Sequence, residues 1–256
     1  MRMLKGVELI IVNEKKFMKT TEELELPLTK LLSQKKYDEV DRLSRNEVSK
    51  LAARVQSMTD DELWNLIDKI TGGLGYTKED KDISRIIVCG SIISWAAVVK
   101  PKSKVLEIGT GLGRTCYTII SWSTPSLYLT IDSSHEILAI ALYRNPYPQF
   151  RDSLMNKCVK ICLCDAEKAI NAINDSFDHV IHDGGPNPRR NPTLFSDGFL
   201  ERLSELIKSG GTLSIFGGKD KKWQDKLYRK LRDLGFQVST EAFPSSPVLV
   251  FHCIKD

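Results

Sequence analysis

The chain has 256 residues and 28.9 kDa, with 41% hydrophobic and 27% charged residues, values that exclude a disordered or fibrous chain and fit one large domain or a catalytic domain with an appendage. Its net charge of +4 is spread along the chain, which permits a nucleic-acid partner without requiring one. Cys89, Cys116, Cys158, Cys162, Cys164 and Cys253 have the spacing of neither a zinc knuckle nor a disulfide scaffold, so no metal site is expected and most should be buried apolar side chains. The apolar run from Val7 to Val12 is too short for the core of a signal peptide, and no run approaches the roughly 18 residues of a membrane span. The expectation is a cytoplasmic protein with no membrane partner.

From Gly6 to Leu28 two short β-prone runs flank the polar Asn13 to Lys16 turn, the pattern of a hairpin. Helical patterns follow: Ser44 is placed to cap a helix through Met58, and Thr59-Asp60-Asp61-Glu62 is a capping box that opens another. Thr71 to Tyr76 is a glycine-rich break and the next six residues are polar, which sets a boundary between a hairpin and helical appendage, 1–76, and a second domain, 77–256. Ile83 to Val99 is apolar nearly all round, as a buried helix should be.

After Lys104 strands and helices alternate. Strands are expected at Val105, Leu127, Val159, His179 and Thr212, and helices over Arg114 to Trp122, Glu136 to Arg144, Ala166 to Ile173, Leu194 to Lys208 and Lys221 to Leu234. Two β-rich runs, Phe236 to Thr240 and Val248 to Ile254, close the chain across a tight Pro-Ser connection. This order predicts an α/β fold, a Rossmann-like, doubly wound, seven-stranded sheet with an antiparallel last strand.

The sharpest motif is VLEIGTGLGRT, in which a strand enters Glu107, Thr110 and the glycines Gly109, Gly111 and Gly113 before a helix begins. Glycine lets the backbone turn tightly and approach a ligand where a Cβ would collide. The spacing is GxGxG, and Arg114 occupies the position of the third glycine of a dinucleotide loop, which argues against pyrophosphate binding; a phosphate-binding GxxxxGK[ST] loop is also absent. Asp132, followed by Ser133, ends the next strand about twenty residues on, where a carboxylate accepts from two ribose hydroxyls. Asp165, followed by Ala166, ends the third strand, placed either to accept from an adenine amino group or to cap the next helix. Glu107 is read equally as a cofactor contact or as a brace for the loop.

From about Ile83 to Asp256 this pattern resembles the class I S-adenosylmethionine-dependent methyltransferases, and S-adenosyl-L-methionine is the cofactor that the resemblance implies. The stretch His182-Asp183-Gly184-Gly185-Pro186-Asn187-Pro188 resembles the [DNS]PP[FYW] loop of amino-directed nucleic-acid methyltransferases. With Asn145-Pro146-Tyr147-Pro148 and FDHVIHDGG, it resembles more closely an archaeal group of predicted methyltransferases. Glycines replace the paired prolines, and no aromatic follows directly.

Methyl transfer is an in-line displacement, so the enzyme aligns the reactants and, for a protonated acceptor, removes a proton. Asp183 and His182 are the candidates at the fourth strand's end, with Asp183 also a cofactor contact or a brace for the glycine turn; His179 should face the opposite side of the sheet from His182. Tyr76, Lys78, Arg189 and Arg190 are candidate acceptor contacts. Lys219 to Arg232 carries seven basic residues interleaved with Trp223 and Tyr228, which suits RNA, although Trp223, Leu227 and Leu231 form a core stripe and favour a solvated helix face. The acceptor is thus RNA, a small metabolite or a protein. Two alternatives are aminopropyl transfer from a decarboxylated cofactor, whose acidic glycine loop this chain lacks, and a non-catalytic cofactor-binding subunit.

Overall fold

The structure, a computed structural model, describes residues 23–71, 76, 83–185 and 191–256. Four helices come first: α1 over 23–33, α2 (Tyr37–Ser49), α3 (Ala52–Ser57) and α4 (Asp60–Thr71). The sheet-forming part follows with α5 (Ile83–Ser94), β1 (Lys104–Ile108), α6 (Arg114–Trp122), β2 (Leu127–Asp132), α7 (His135–Tyr143), α8 (Pro148–Leu154), β3 (Val159–Leu163) and α9 (Ala166–Ala172). It continues with β4 (Phe177–His182), α10 (Asp197–Glu205), β5 (Ile207–Gly218), α11 (Lys221–Asp233), β6 (Phe236–Ala242) and β7 (Leu249–Lys255). The strands form one seven-stranded sheet in the order β3-β2-β1-β4-β5-β7-β6, in which β7 alone runs antiparallel to its neighbours. The chain moves outward one way from β1 and the other way from β4, so the order reverses between these two strands. In doubly wound sheets that reversal opens a crevice at the strands' carboxyl ends.

Several local expectations change. Residues 23–28 of the expected hairpin lie in α1, and the rest of it is outside the described residues. Ser44 does not cap a helix; it sits inside α2, where its Oγ accepts from Leu163 N at 3.0 Å while Asp41 accepts from Ile161 N at 2.9 Å. These bonds satisfy the outer edge of β3, whose backbone donors would otherwise be unpaired. The buried helix stops at Ser94 because Trp95 turns left-handed at φ 44°, and the long helix from Leu194 shortens to α10 because β5 begins at Ile207. The capping box at Thr59 forms as read, with Glu62 N donating to Thr59 Oγ1 at 3.2 Å and Thr59 N to Glu62 at 2.7 Å. Helix α8 escaped the reading, being only seven residues long, but its Phe150 and Leu154 are fully buried.

The two apolar cores lie one on each side of the sheet, and both include the N-terminal helices. Leu28, Leu32 and Val40 join Leu106, Leu129 and Val180 in one, while Val48, Val55, Leu63 and Ile67 join Val105, Tyr128 and Ile181 in the other. Arg144 ties the turn between α3 and α4 to α7: its guanidinium donates to Val55 O, Gln56 O and Met58 O and pairs with Asp60. Of the cysteines, Cys116, Cys162, Cys164 and Cys253 are buried, and all six are free thiols.

Candidate functional site

A cavity of about 830 Å³ opens at the carboxyl ends of β1, β2, β3 and β4. Its wall contains Gly109, Thr110, Gly111, Asp132, Ser133, Asp165, Ala166 and Asp183, all singled out from the sequence, together with Tyr76. Glu107, Gly113 and His182 are not in that wall, and Lys78, Arg189 and Arg190 are outside the described residues.

The loop after β1 is held by bonds running both into the sheet and across to β2. Gly109 N donates to Ile131 O at 2.8 Å, and Gly111 N donates to Asp132 Oδ2 at 3.1 Å. Asp132 Oδ1 accepts from Ser134 N at 2.9 Å. Each carboxylate oxygen therefore holds one backbone donor and retains acceptor capacity toward the cavity. Burial raises the Asp132 pKa, against the lowering effect of those same N–H groups.

Gly109, Gly111 and Gly113 all have positive φ, at 93°, 52° and 91°. Gly109 is the tightest requirement: a Cβ there would lie 2.7 Å from the Gly184 backbone, because the loops after β1 and β4 cross in contact. Asp183 N closes the crossing by donating to Ile108 O at 2.9 Å. Gly113 faces the Leu154 side chain, so its smallness serves packing against α8 rather than the cavity.

Glu107 lies beneath the loop, fully buried. Its Oε2 accepts from Thr130 Oγ1 at 2.6 Å, Thr130 meets Thr110 hydroxyl to hydroxyl at 2.6 Å, and Oε1 accepts from Thr115. The carboxyl thus braces both ends of the glycine loop through three hydroxyls, the bracing reading of this residue with side-chain donors in place of backbone amides. Burial raises its pKa to about 8, with the threonine bonds opposing.

Asp165 caps α9, its Oδ1 accepting from Glu167 N at 2.9 Å and Lys168 N at 3.2 Å, and it also faces the cavity. The two readings of this residue are therefore compatible in space.

The candidate catalytic role of His182 does not survive its placement. Its Nε2 lies 2.8 Å from Leu194 O and its ring stacks on Phe195 at 4.7 Å, on the α10 side of the sheet. His179 turns to the other face, 2.8 Å from Ser94 O, as the strand alternation requires. Burial lowers both pKa values to about 4, so both rings are neutral at neutral pH.

Asp183 does reach the cavity. It pairs there with Arg114, Nη2 to Oδ2 at 3.2 Å, and the guanidinium lies 5.1 Å from the centre of the Tyr76 ring. Burial raises the Asp183 pKa and Arg114 opposes the rise. Arg114 is the residue that sequence reasoning missed. The sequence marks it only as a replacement for glycine, although an arginine at a loop-to-helix junction, once buried, calls for an anionic partner, here Asp183.

Residues 141–243 match a family model described as S-adenosyl-L-methionine-dependent methyltransferase. An uncharacterised protein of Methanocaldococcus jannaschii is 32% identical over 148 residues, which cover 55% of this chain and 49% of that protein. The chain therefore spans about half the length of the curated relative it matches. By family and fold, the chain resembles the S-adenosyl-L-methionine-dependent methyltransferases. Among solved structures, a spermidine synthase in complex with the transition-state analogue AdoDATO superposes with a TM-score of 0.57 at 17% identity, over 66% of this chain and 61% of that one. The spermidine synthase from Thermotoga maritima gives 0.55 at 16% identity, over 66% and 60%. These likenesses establish the fold alone, a Rossmann-like doubly wound sheet. The family match begins after the glycine loop, so the loop's role rests on its own geometry. Among the described residues, no helix is long and apolar enough to cross a membrane, and no cluster of three or more His, Cys, Asp or Glu is arranged to hold a metal ion.

Proposed function

We propose that the chain is an S-adenosyl-L-methionine-dependent methyltransferase whose cofactor lies across the ends of β3, β2 and β1, with the acceptor entering beside Asp183. The observation that supports this most is Asp132: a half-buried carboxylate, oriented by two backbone donors and facing the cavity, matches a ribose diol. The residues fit the cofactor in other respects. Gly111 leaves its backbone open on the cavity side, where among the described residues the edge of the Tyr76 ring is nearest a hypothetical Cβ, its hydroxyl at 3.5 Å. The cavity volume lies within the few hundred to about 1,000 Å³ usual for small-molecule sites. Ser133 and Ala166 line the nucleoside end, with Asp165 beside the base.

When bound, the cofactor supplies a methyl group activated on a sulfonium. The chain's own contribution is alignment, together with a carboxylate at Asp183 placed to accept a proton from an N–H or O–H acceptor. Tyr76 covers Gly111, and residues before 77 are assigned the role of covering the reaction site or recognising the acceptor, with Lys78, Arg189 and Arg190 as further contacts.

For the acceptor we infer RNA. The exposed face of α11, with Lys222, Lys226 and Arg229 at i, i+4 and i+7, supports it through charge complementarity to a phosphate backbone. The same helix buries Leu227 and Leu231, so its basic face also serves solvation. Aminopropyl transfer is the second reading, favoured by the likeness to spermidine synthases. Calorimetry with S-adenosylhomocysteine and NAD tests the cofactor, and binding of both equally would overturn it. Mass spectrometry of nucleosides and proteins from cells with and without the gene tests the acceptor: a methylated nucleoside lost with the gene supports RNA, and a change confined to proteins or metabolites overturns it.

A further inference from the structure

The loop after β4 has glycines where the nucleic-acid methyltransferases it resembles have prolines and an aromatic ring, yet two rings reach the cavity from the neighbouring strands. His182 pairs with Ile215, so Phe216 stands level with Asp183 on β5, one strand away. Phe243, just past the end of β6, meets Phe216 edge to face with ring centres 6.1 Å apart. Both rings lie in the cavity wall with Val248 and with Ile86 of α5. Phe216 is buried and Phe243 is half-buried. The turn that carries Phe243 is pinned: Phe243 N donates to Val248 O at 3.1 Å, Ser246 N donates to Phe243 O at 3.1 Å, and Gln224 Nε2 of α11 donates to Pro247 O at 3.0 Å. A half-buried ring fixed in this way stacks on a ligand with little further ordering.

The charges of the wall narrow what can sit there. Asp132, Asp165 and Glu167 stand at the β2 and β3 ends. At the β4 and β5 ends the described wall holds one carboxylate, Asp183, already paired with Arg114, and a second cation, Arg85 of α5. An aliphatic polyamine carries several ammonium groups, and each needs an acid or another acceptor once it leaves water. This end of the cavity meets such a molecule with cations and apolar side chains. A neutral planar ring carries no charge to desolvate, gains by stacking and apolar contact, and keeps an N–H or O–H at its edge for Asp183.

Resting on the methyltransferase reading above, we propose that the acceptor enters this end of the cavity as a planar aromatic ring stacked on Phe243, with Phe216 backing that ring and Asp183 beside the atom to be methylated. The ring belongs to a nucleobase of RNA or to a free heteroaromatic compound, and stacking accepts both because each presents a π face. The acceptor's N or O bonds to the methyl carbon as the S–C bond breaks, the bonding pair staying on sulfur, and the acceptor's proton passes to Asp183. The turn between β6 and β7 thus provides the stacking surface that the glycines after β4 cannot. Preference for a ring over an aliphatic amine also disfavours aminopropyl transfer.

The test offers the full chain methyl-labelled S-adenosyl-L-methionine with total RNA, total protein and the small-molecule extract of cells that lack the gene, and identifies each labelled product by mass spectrometry. Label on a nucleobase of RNA or on a free ring compound is expected, and the fraction that carries it separates the two sources. Phe243→Leu should lower the rate about tenfold at limiting acceptor and less at saturating acceptor, with S-adenosylhomocysteine affinity by calorimetry within about twofold of wild type. Phe243→Tyr keeps the ring face and should restore the rate to within about threefold. Phe243→Met takes the place of the Leu variant if that one fails to fold. Rates that do not distinguish the ringless variants from Phe243→Tyr overturn the proposal, as does a loss of S-adenosylhomocysteine affinity that parallels the loss of rate, which is what a purely structural ring would give. Label confined to protein or to aliphatic amines, or found in no fraction, overturns it while leaving the cofactor reading in place. A wild type that does not bind S-adenosylhomocysteine overturns the cofactor reading itself.

Discussion

The cavity wall at the ends of β1 and β2 is made from two short stretches of sequence, Ile108 to Gly111 and Ile131 to Ser134, braced from beneath by Glu107, Thr115 and Thr130. The wall at the end of β4 brings Tyr76 and Asp183, from two distant segments, against Arg114 at the start of α6. The first is internally complete: Glu107, Thr110, Thr115 and Thr130 satisfy one another, and Asp132 is fixed by Gly111 and Ser134. The second leaves Arg114 Nε and Nη1 without acceptors among the described residues. The difference makes the two walls separable by experiment.

The largest expected effect is on pH-dependent stability, through Glu107. Its pKa is about 8 when folded, against 4.5 for the free side chain. Between those values the folded chain keeps a proton that the unfolded chain has lost, so this contribution is full below about pH 4.5 and disappears as pH rises through 8. At about 1.4 kcal/mol per pKa unit the change is on the order of 5 kcal/mol across the window. Glu107→Gln mimics the protonated acid and removes the dependence. The variant's Tm relative to wild type should therefore rise steadily from pH 5 to pH 8, and parallel curves would show that Glu107 is ionised in the folded chain.

Gly109→Ala should come next. The substitution forces a left-handed φ on a residue with a Cβ and drives that atom against the Gly184 backbone, which has no side chain to move aside. A loss of roughly 3 kcal/mol in chemical denaturation is expected, together with weakened cofactor binding. Gly113→Ala, where the obstacle is the Leu154 side chain, should cost less. Equal costs would mean that the crossing of the two loops is looser than its geometry.

Asp132→Ala removes the acceptor for the ribose and should cost about 2 to 3 kcal/mol of affinity for S-adenosylhomocysteine by calorimetry. Asp165→Ala should cost less, because Asp165 Oδ1 is already committed to two backbone donors of α9. A loss below about threefold at Asp132 would remove it from the ribose site.

These differences track what the sequence makes legible. The strand, glycine turn, helix and following acid are local, and each is read from a spacing that a single element enforces. The doubly wound sheet and its antiparallel end follow from alternation and from the tight Pro-Ser connection in the same way. The β4 wall is different in kind. Tyr76 lies in the cavity wall outside any helix or strand, so no periodicity marks it, and the place of His182 at a strand end is legible in the sequence while its direction is not. Strand alternation separated His179 from His182 but could not say which face held the cavity. Ser44 shows the same limit: its type suits a helix cap, and it caps the edge of β3 instead.

The smallest expected effect concerns that edge. Helix α2 supplies Ser44 and Asp41 to Leu163 N and Ile161 N, two residues apart on β3 and hence donors on the same side of the strand. Ser44 is fully buried, so Ser44→Ala leaves the Leu163 N–H without an acceptor and without water, a loss of about 1 to 2 kcal/mol in denaturation. Asp165 lies just beyond β3 and is held by its own cap on α9, so affinity for S-adenosylhomocysteine should stay within about twofold. That combination would make the contact between α2 and β3 a stabilising cover, leaving any acceptor role of the N-terminal segment to residues nearer Tyr76. A variant of unchanged stability but weakened binding would reverse the assignment and carry the influence of α2 along β3 into the nucleoside end of the cavity.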